Sequence, residues 1–432
     1  MKNYIYTIAF LLSIGSLFAQ QTPAPKQSAD YTIEGATAHL GNGQVIENSL
    51  IMFSNGKITH VGNALTKIAR RGTVIDAKGK HVYPGFIVAN TTLGLGEVDA
   101  VKASIDEREI GTYNPHIRSI IAYNTESKVV ESMRPNGVLI VQTTPRGGTI
   151  SGTSSIVQLD AWNWEDAIVK ENDAIHMNWP SSVSYSGRWW AGEPRVVKES
   201  KNYTENLNKF SSYLQQAKTY LKGNKSEKNL PFEAMKGLFN GSQKLFIHVS
   251  GEREITDAIT LSKKEGINKI VIVHGGDADK VADLLVKNNI PVVLERAHRL
   301  PNAEDQDYDL PYRTAKILVD KGITVSIGME GDMERMSTRN APFYAGTYAA
   351  YGLDKEEALK LITSNAAKIL GIDDKVGTLE VGKDATLFVS EGDALDMRTN
   401  KVSNSFINGR KLSLETHQTK LWKRYSDKYK NQ

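Results

Sequence analysis

The 432-residue sequence contains no cysteine. That excludes disulfides, thiolate metal sites, a cysteine nucleophile and iron–sulfur clusters, each of which needs the sulfur. It also excludes a lipid-modified N-terminal cysteine. Proline is sparse at 13 residues, and neither sign of charge dominates: 53 basic against 49 acidic side chains give a formal +4. So small an excess gives no electrostatic footprint for a nucleic-acid partner, and the basic stretch from Lys420 to Lys430 reads as a solvated helix end. After residue 20 no apolar run reaches the roughly 20 residues a membrane span needs. What is there is globular: 40% hydrophobic and 24% charged residues with 35 glycines speak against disorder and fibrous repeats. The length exceeds the roughly 100–200 residues of one ordinary domain and predicts a large barrel or two domains.

The N-terminus has its own character. Met1-Lys2-Asn3 precedes an apolar run from Ile5 to Phe18, closed by Ala19-Gln20-Gln21. Residues 1–20 read as a secretory signal peptide cut near Ala19, with the bulky Leu17 leaving the exact bond open. Residues 21–30, with Thr22-Pro23-Ala24-Pro25, read as a flexible leader. The mature protein is therefore expected to be exported, periplasmic or secreted, without a lipid anchor.

Short β-rich runs occupy residues 31–82 and 377–412, with Asn55-Gly56 and Asn408-Gly409 as hairpin turns. Between them the rhythm changes. Residues 138–141, 244–248, 270–274, 291–295 and 323–328 are continuous apolar runs of the kind buried in parallel sheets, and helical patterns at 255–265, 277–288 and 313–321 separate several of them. This alternation predicts right-handed βαβ units and an α/β fold of the (β/α)8, TIM-like barrel class. Barrel active sites sit at the C-terminal strand ends, which points to His248, His274, Glu295 and the Gly328-Met329-Glu330 corner.

Three motifs, in this order, resemble the amidohydrolase superfamily, in particular its imidazolonepropionase-like branch. The first is Ile75-Asp76-Ala77-Lys78-Gly79-Lys80 leading into Tyr83-Pro84-Gly85-Phe86-Ile87, and the second is the pair of strand-end histidines. The third is the tail: Thr363-Ser364-Asn365-Ala366-Ala367-Lys368-Ile369-Leu370-Gly371, then Gly377-Thr378-Leu379-Glu380-Val381-Gly382-Lys383-Asp384-Ala385. The resemblance implies a barrel over residues 84–375 and a small β-sandwich assembled from 31–83 and 376–415, leaving 416–432 as a C-terminal tail. It also implies hydrolysis of amide-type, often cyclic, C–N bonds in a small-molecule substrate. It leaves open a homo-oligomer or pairing with an active relative.

The departures from the family pattern are specific. Where the family carries an acidic residue, a spacer and a His-x-His pair, this sequence has Val88, Asn90 and Thr92. Two imidazole ligands are thus replaced by neutral oxygen donors that bind transition metals poorly. His248 and His274 match the ligands of strands five and six, and Glu330 takes the place of the strand-eight Asp, metal ligand and general base. A two-histidine, one-carboxylate set suits one divalent metal, with zinc first and manganese or iron(II) as alternatives. The other reading is that these histidines are merely hydrogen-bonded. Asn90 and Thr92 either face a substrate or satisfy nearby backbone groups.

Other segments carry weaker signals. The Gly- and hydroxyl-rich stretch 144–155 lacks the Lys-Ser/Thr ending of a phosphate loop, which argues against a nucleotide. It either holds Arg146 over the pocket to pair with a substrate carboxylate or is a structural turn. Trp162, Trp164, Trp179, Trp189 and Trp190, five of the six tryptophans, suggest an insertion packed over the barrel mouth. Glu304, Asp305, Asp307 and Asp309 lack calcium-loop spacing and read as a solvated loop, and His116 and His298 as ordinary loop residues. Two functions follow from different classes: an exported hydrolase of non-peptide C–N bonds using at most one metal, or an inactive barrel that binds a small ligand or partners an active homologue.

Overall fold

The computed structural model describes residues 22–187, 196–223, 227–301, 306–331 and 333–430. The signal segment, Trp189, Trp190, Glu304 and Asp305 lie outside the described residues.

Eight strands form the barrel wall, in chain order Phe86–Thr91, Val138–Thr143, Ile150–Gln158, Ile168–Asn178, Lys244–Val249, Ile270–His274, Val292–Leu294 and Val325–Ile327. They are called strands one to eight below. A parallel bridge between Ala89 and Gly328 brings strand eight back to strand one. A Cβ at Gly328 would lie 2.6 Å from Val293 Cγ1, so the closure needs glycine there. The apolar runs are continuous because both faces are covered. Ile87, Ile140, Ile156, Phe246, Val273 and Val293 fill the interior, while Val88, Val141, Ile247, Ile272 and Val292 pack outward against helices such as Glu252–Lys264 and Leu310–Asp320.

One strand departs from uniform βα alternation. Strand three is antiparallel to both neighbours, because residues 144–149 form a short turn with no crossover helix, and strands joined so tightly must run in opposite directions. Gly147 and Gly148, with φ of 85° and 65°, make that turn. The stretch 144–155 is therefore a loop followed by strand, with Ile150 to Ser155 inside the wall. The reversal also corrects the tryptophan expectation. Strand three ends away from the mouth, so Trp162 and Trp164 lie in the connection at the opposite end. Trp179, directly after strand four, is at the mouth, packed edge-on to Phe210.

The two ends of the chain build two further sheets. Tyr31–Glu34, Ser49–Ser54, Lys57–Asn63 and Thr73–Asp76 form a four-stranded sheet. In the six-stranded sheet, Thr37–His39, Val45–Ile46 and His81–Pro84 join Leu387–Ser390, Val402–Ile407 and Arg410–Lys411 from the far end. Ile33, Phe53, Val82, Leu387 and Phe406 fill the space between. Both Asn-Gly pairs have positive φ at each residue, 50° and 79° at Asn55-Gly56 and 51° and 71° at Asn408-Gly409, the geometry of the tight hairpin turn the sequence predicted. The terminal helix His417–Lys430 buries none of its residues. Among the described residues, no helix is long and apolar enough to cross a membrane.

Candidate metal centre

His248 lies on strand five, two residues beyond the inward-facing Phe246, so simple alternation turns its imidazole into the barrel. His274 is different. Val271 and Val273 are the inward residues of strand six, and alternation would send His274 toward the helices. Its φ of +76° breaks the alternation and swings the ring to the mouth. That conformation costs a non-glycine residue about 1–3 kcal/mol. Asn90, at φ +51°, makes the same turn at the end of strand one. Glu330 follows strand eight in a corner fastened by Met329 N–H donating to Asn90 O at 3.1 Å.

These turns bring three ligand atoms together. One atom from each of His248, His274 and Glu330 lies within 4.8 Å of the other two, and both histidines line an open cavity of about 960 Å³ with Trp179, Ser182, Ser250 and Asp277. Glu330 Oε2 accepts from His274 Nε2 at 2.9 Å, His248 Nδ1 at 3.1 Å and Asn90 Nδ2 at 3.3 Å. His274 Nδ1 donates to Glu295 Oε1 at 3.2 Å. A carboxylate on the far nitrogen of a ligand histidine fixes the ring and leaves its other nitrogen for a metal.

The charges follow from this packing. Burial alone would lower His274, but Glu330 and Glu295 together push it up to about 9. Burial keeps His248 below its ordinary value despite Glu330. Burial would lift the Glu330 carboxyl, yet the imidazoles of His248 and His274 hold it well below the usual carboxylate range. The chemistry and convergence of the donors fit a single divalent cation in place of the protons they now share. Among the described residues this is the one such group of three.

The remaining predicted residues lie beneath the cavity floor. Asn90, Thr92 and Arg146 are 1%, 0% and 9% exposed. The Arg146 guanidinium donates to Asn90 Oδ1 at 3.0 Å, Met329 O at 3.2 Å and Glu334 Oε2 at 3.0 Å. It therefore does not reach over the pocket as a free carboxylate clamp: its charge is committed to Glu334. Burial raises the Glu334 carboxyl, an effect that Arg146 and the Thr92 hydroxyl partly offset. In the acidic loop, Asp307 and Asp309 pair with Arg313. His298 Nε2 is 2.7 Å from Thr347 Oγ1.

Sequence reasoning missed the residues behind His248. His176, on strand four, places Nδ1 3.0 Å from His248 Nε2 and Nε2 3.0 Å from Ser154 Oγ. Ser154 is 2.8 Å from Asp173 Oδ1, and Gln142 Nε2 donates to Asp173 Oδ2 at 2.8 Å. All four are buried. Burial holds His176 well below its ordinary value and raises Asp173. The available signal was a histidine inside the alternating run Ala174-Ile175-His176-Met177.

With this geometry in view, the likenesses to known proteins become interpretable. The Amidohydrolase family matches over residues 225–412, which holds both histidines and Glu330. A 144-residue segment is 26% identical to imidazolonepropionase of Symbiobacterium thermophilum, covering 33% of this chain and 32% of that protein. A 109-residue segment is 30% identical to adenine deaminase of Clostridium botulinum, covering 24% of this chain and 18% of that protein. The matches thus span a third or less of these curated relatives. The crystal structure of an amidohydrolase from Thermotoga maritima aligns over 89% of this chain and 99% of its own, with a TM-score of 0.75 at 24% identity. Residues 225–412 thus carry an Amidohydrolase family match, and the chain shares the fold of a solved amidohydrolase.

Proposed function

We propose that the protein is a metal-dependent hydrolase of non-peptide, amide-type C–N bonds in small molecules, working with one divalent cation, zinc first among the candidates. The convergence of His248, His274 and Glu330 on one point at the C-terminal end of the barrel carries the reading. The Amidohydrolase family match over residues 225–412 and two partial relatives named for such chemistry, an imidazolonepropionase and an adenine deaminase, support it.

When bound, a divalent metal polarises a carbonyl and lowers the pKa of water. The rest belongs to the chain. Glu295 and Glu330 orient His274, and Arg146, through Asn90 and the Met329 carbonyl, fixes the corner that carries Glu330. Glu330, held as a carboxylate by the two imidazoles, would accept the proton released as water adds to the carbonyl carbon, and pass it to the leaving nitrogen as the C–N bond breaks. Water is thereby divided, hydroxyl to carbon and hydrogen to nitrogen.

The competing reading, a barrel that binds without catalysis, draws on Asn90 and Thr92 standing where the family has its histidine pair, both buried and Asn90 bonded to Arg146 and Glu330. Metal analysis after chelator-free purification separates the two. Close to one equivalent is expected, with His248→Ala and His274→Ala each releasing it and Glu330→Gln losing turnover. Less than about a tenth of an equivalent, with no gain in melting temperature on adding zinc or manganese, would sink the metal reading, since a bound metal stabilises the fold. Export belongs to the same proposal. Sequencing the N-terminus of the mature protein should start it near Gln20; an intact Met1 would refute it.

A further inference from the structure

We propose that His176, Ser154 and Asp173 form a buried hydrogen-bond relay that sets which nitrogen of His248 carries its proton, and so acts as a positioning device for the metal. This rests on the metal reading above.

The chain His248–His176–Ser154–Asp173 is continuous, with links of 3.0, 3.0 and 2.8 Å. Along this chain, with both histidines neutral, donors and acceptors match end to end in two directions; at Ser154 Oγ they compete with Gln142 Nε2, which donates at 3.2 Å, and with Ala174 O, an acceptor at 3.3 Å. In the first, His248 holds its proton on Nδ1 and gives it to Glu330. Nε2 then accepts from His176 Nδ1, His176 Nε2 accepts from the Ser154 hydroxyl, and Ser154 must accept from a protonated Asp173. In the second, Nδ1 is bare. His248 Nε2–H donates to His176 Nδ1, His176 Nε2–H donates to Ser154, and Ser154 donates to Asp173 as a carboxylate. Only the second leaves a lone pair on Nδ1 for a cation. Carboxylate–histidine–metal pairs orient ligands in this way with one partner; here the partner is another histidine and the carboxylate lies two links further back.

Gln142 makes the relay testable. Its Oε1 accepts from Asn90 N–H at 3.1 Å, which turns Nε2 toward Asp173. In Asp173→Asn the amide oxygen must therefore face Gln142 and the amide NH2 must donate to Ser154. That favours the first direction, the Ala174 carbonyl being the longer acceptor for Ser154, and with it a proton on His248 Nδ1. The experiment is zinc affinity, by competition with a chromophoric chelator, alongside melting of the metal-free protein. Asp173→Asn should lose affinity by about 10- to 100-fold, the usual cost of removing a ligand's supporting partner. Its metal-free melting temperature should stay at the wild-type value, because every hydrogen bond of the first direction survives. Ser154→Ala, which cuts the chain, should lose about tenfold and carries the measurement if the first variant does not fold. Wild-type affinity in either folded variant overturns the relay, as does an affinity loss matched by an equal loss of metal-free stability. If the wild-type protein itself takes up no zinc, it is the metal reading that fails.

Discussion

At the scale of single residues, the site stands on a buried ion pair the sequence did not disclose. Arg146 and Glu334 are 9% and 8% exposed and 3.0 Å apart, and the guanidinium also holds the strand-one and strand-eight ends. Removing one member of a buried pair leaves the other charge uncompensated, at about 3–5 kcal/mol. Arg146→Met should therefore lower unfolding free energy by about that much in chemical denaturation, and loosen Glu330 with it. A loss below about 1 kcal/mol, the worth of an exposed pair, would mean that Glu334 has another route to compensation. The contrast with His248 shows what was legible. A histidine ending an apolar run in a barrel-like pattern announces itself, because strand direction alone places it. Arg146 sits in a Gly-rich turn, and its orientation depends on strand eight, over 180 positions away in the chain. His176 was hidden for another reason: its partner Ser154 comes from strand three, whose Gly and Ser content imitates a turn.

At the scale of elements, the barrel is closed underneath by the helix Ser364–Leu370, whose Ala366, Ala367, Ile369 and Leu370 pack against the interior strands. Two lysines at the starts of strands four and five cap it. Lys170 Nζ donates to Leu370 O at 3.1 Å and Gly371 O at 3.2 Å, and Lys244 Nζ donates to Lys368 O at 3.2 Å and to Ile369 O. Cations suit a helix C-terminus, but two so close share a cost, and burial together with Lys170 brings Lys244 down to about 8. The sign follows directly. Between pH 8 and 10.5 the unfolded chain holds this proton and the folded one does not, so its contribution to stability rises with pH and is lost as pH falls through 8. Relative to Lys244→Met, the wild-type protein should gain up to roughly 3 kcal/mol between pH 7.5 and 10.5. A pH-independent difference in denaturation midpoint would show that Lys244 stays charged in the fold. The strands that carry these lysines and the tail motif were readable as elements. The capping was not, since each lysine taken alone is an ordinary strand-end cation.

At the scale of the whole molecule, a cysteine-free chain must hold its sandwich against its barrel without a disulfide, and Asp160 makes the joint. It lies in the connection after strand three, buried, and its carboxylate accepts from Arg134 Nη1 at 2.7 Å, Arg410 Nη1 at 3.0 Å and Ala24 N–H at 2.9 Å. Arg410 belongs to the last hairpin of the sandwich and Ala24 to the segment that opens the described chain. One barrel carboxylate thus gathers both ends of the sequence. The reversal of strand three has an architectural consequence here: it delivers Asp160 to the end of the barrel that faces the sandwich, where a parallel strand would have ended at the mouth. Leu139, Ile407 and Leu412 add an apolar contact at the same joint. If the ion network carries it, Asp160→Ala leaves two guanidinium groups beside each other without the carboxylate between them. The denaturation midpoint should then fall by the equivalent of about 3–5 kcal/mol. If the apolar contact suffices, the midpoint should barely move and Leu412→Ala should be the more damaging change. Near-ultraviolet circular dichroism of both variants, read against denaturant, decides between these two accounts of how the ends are held.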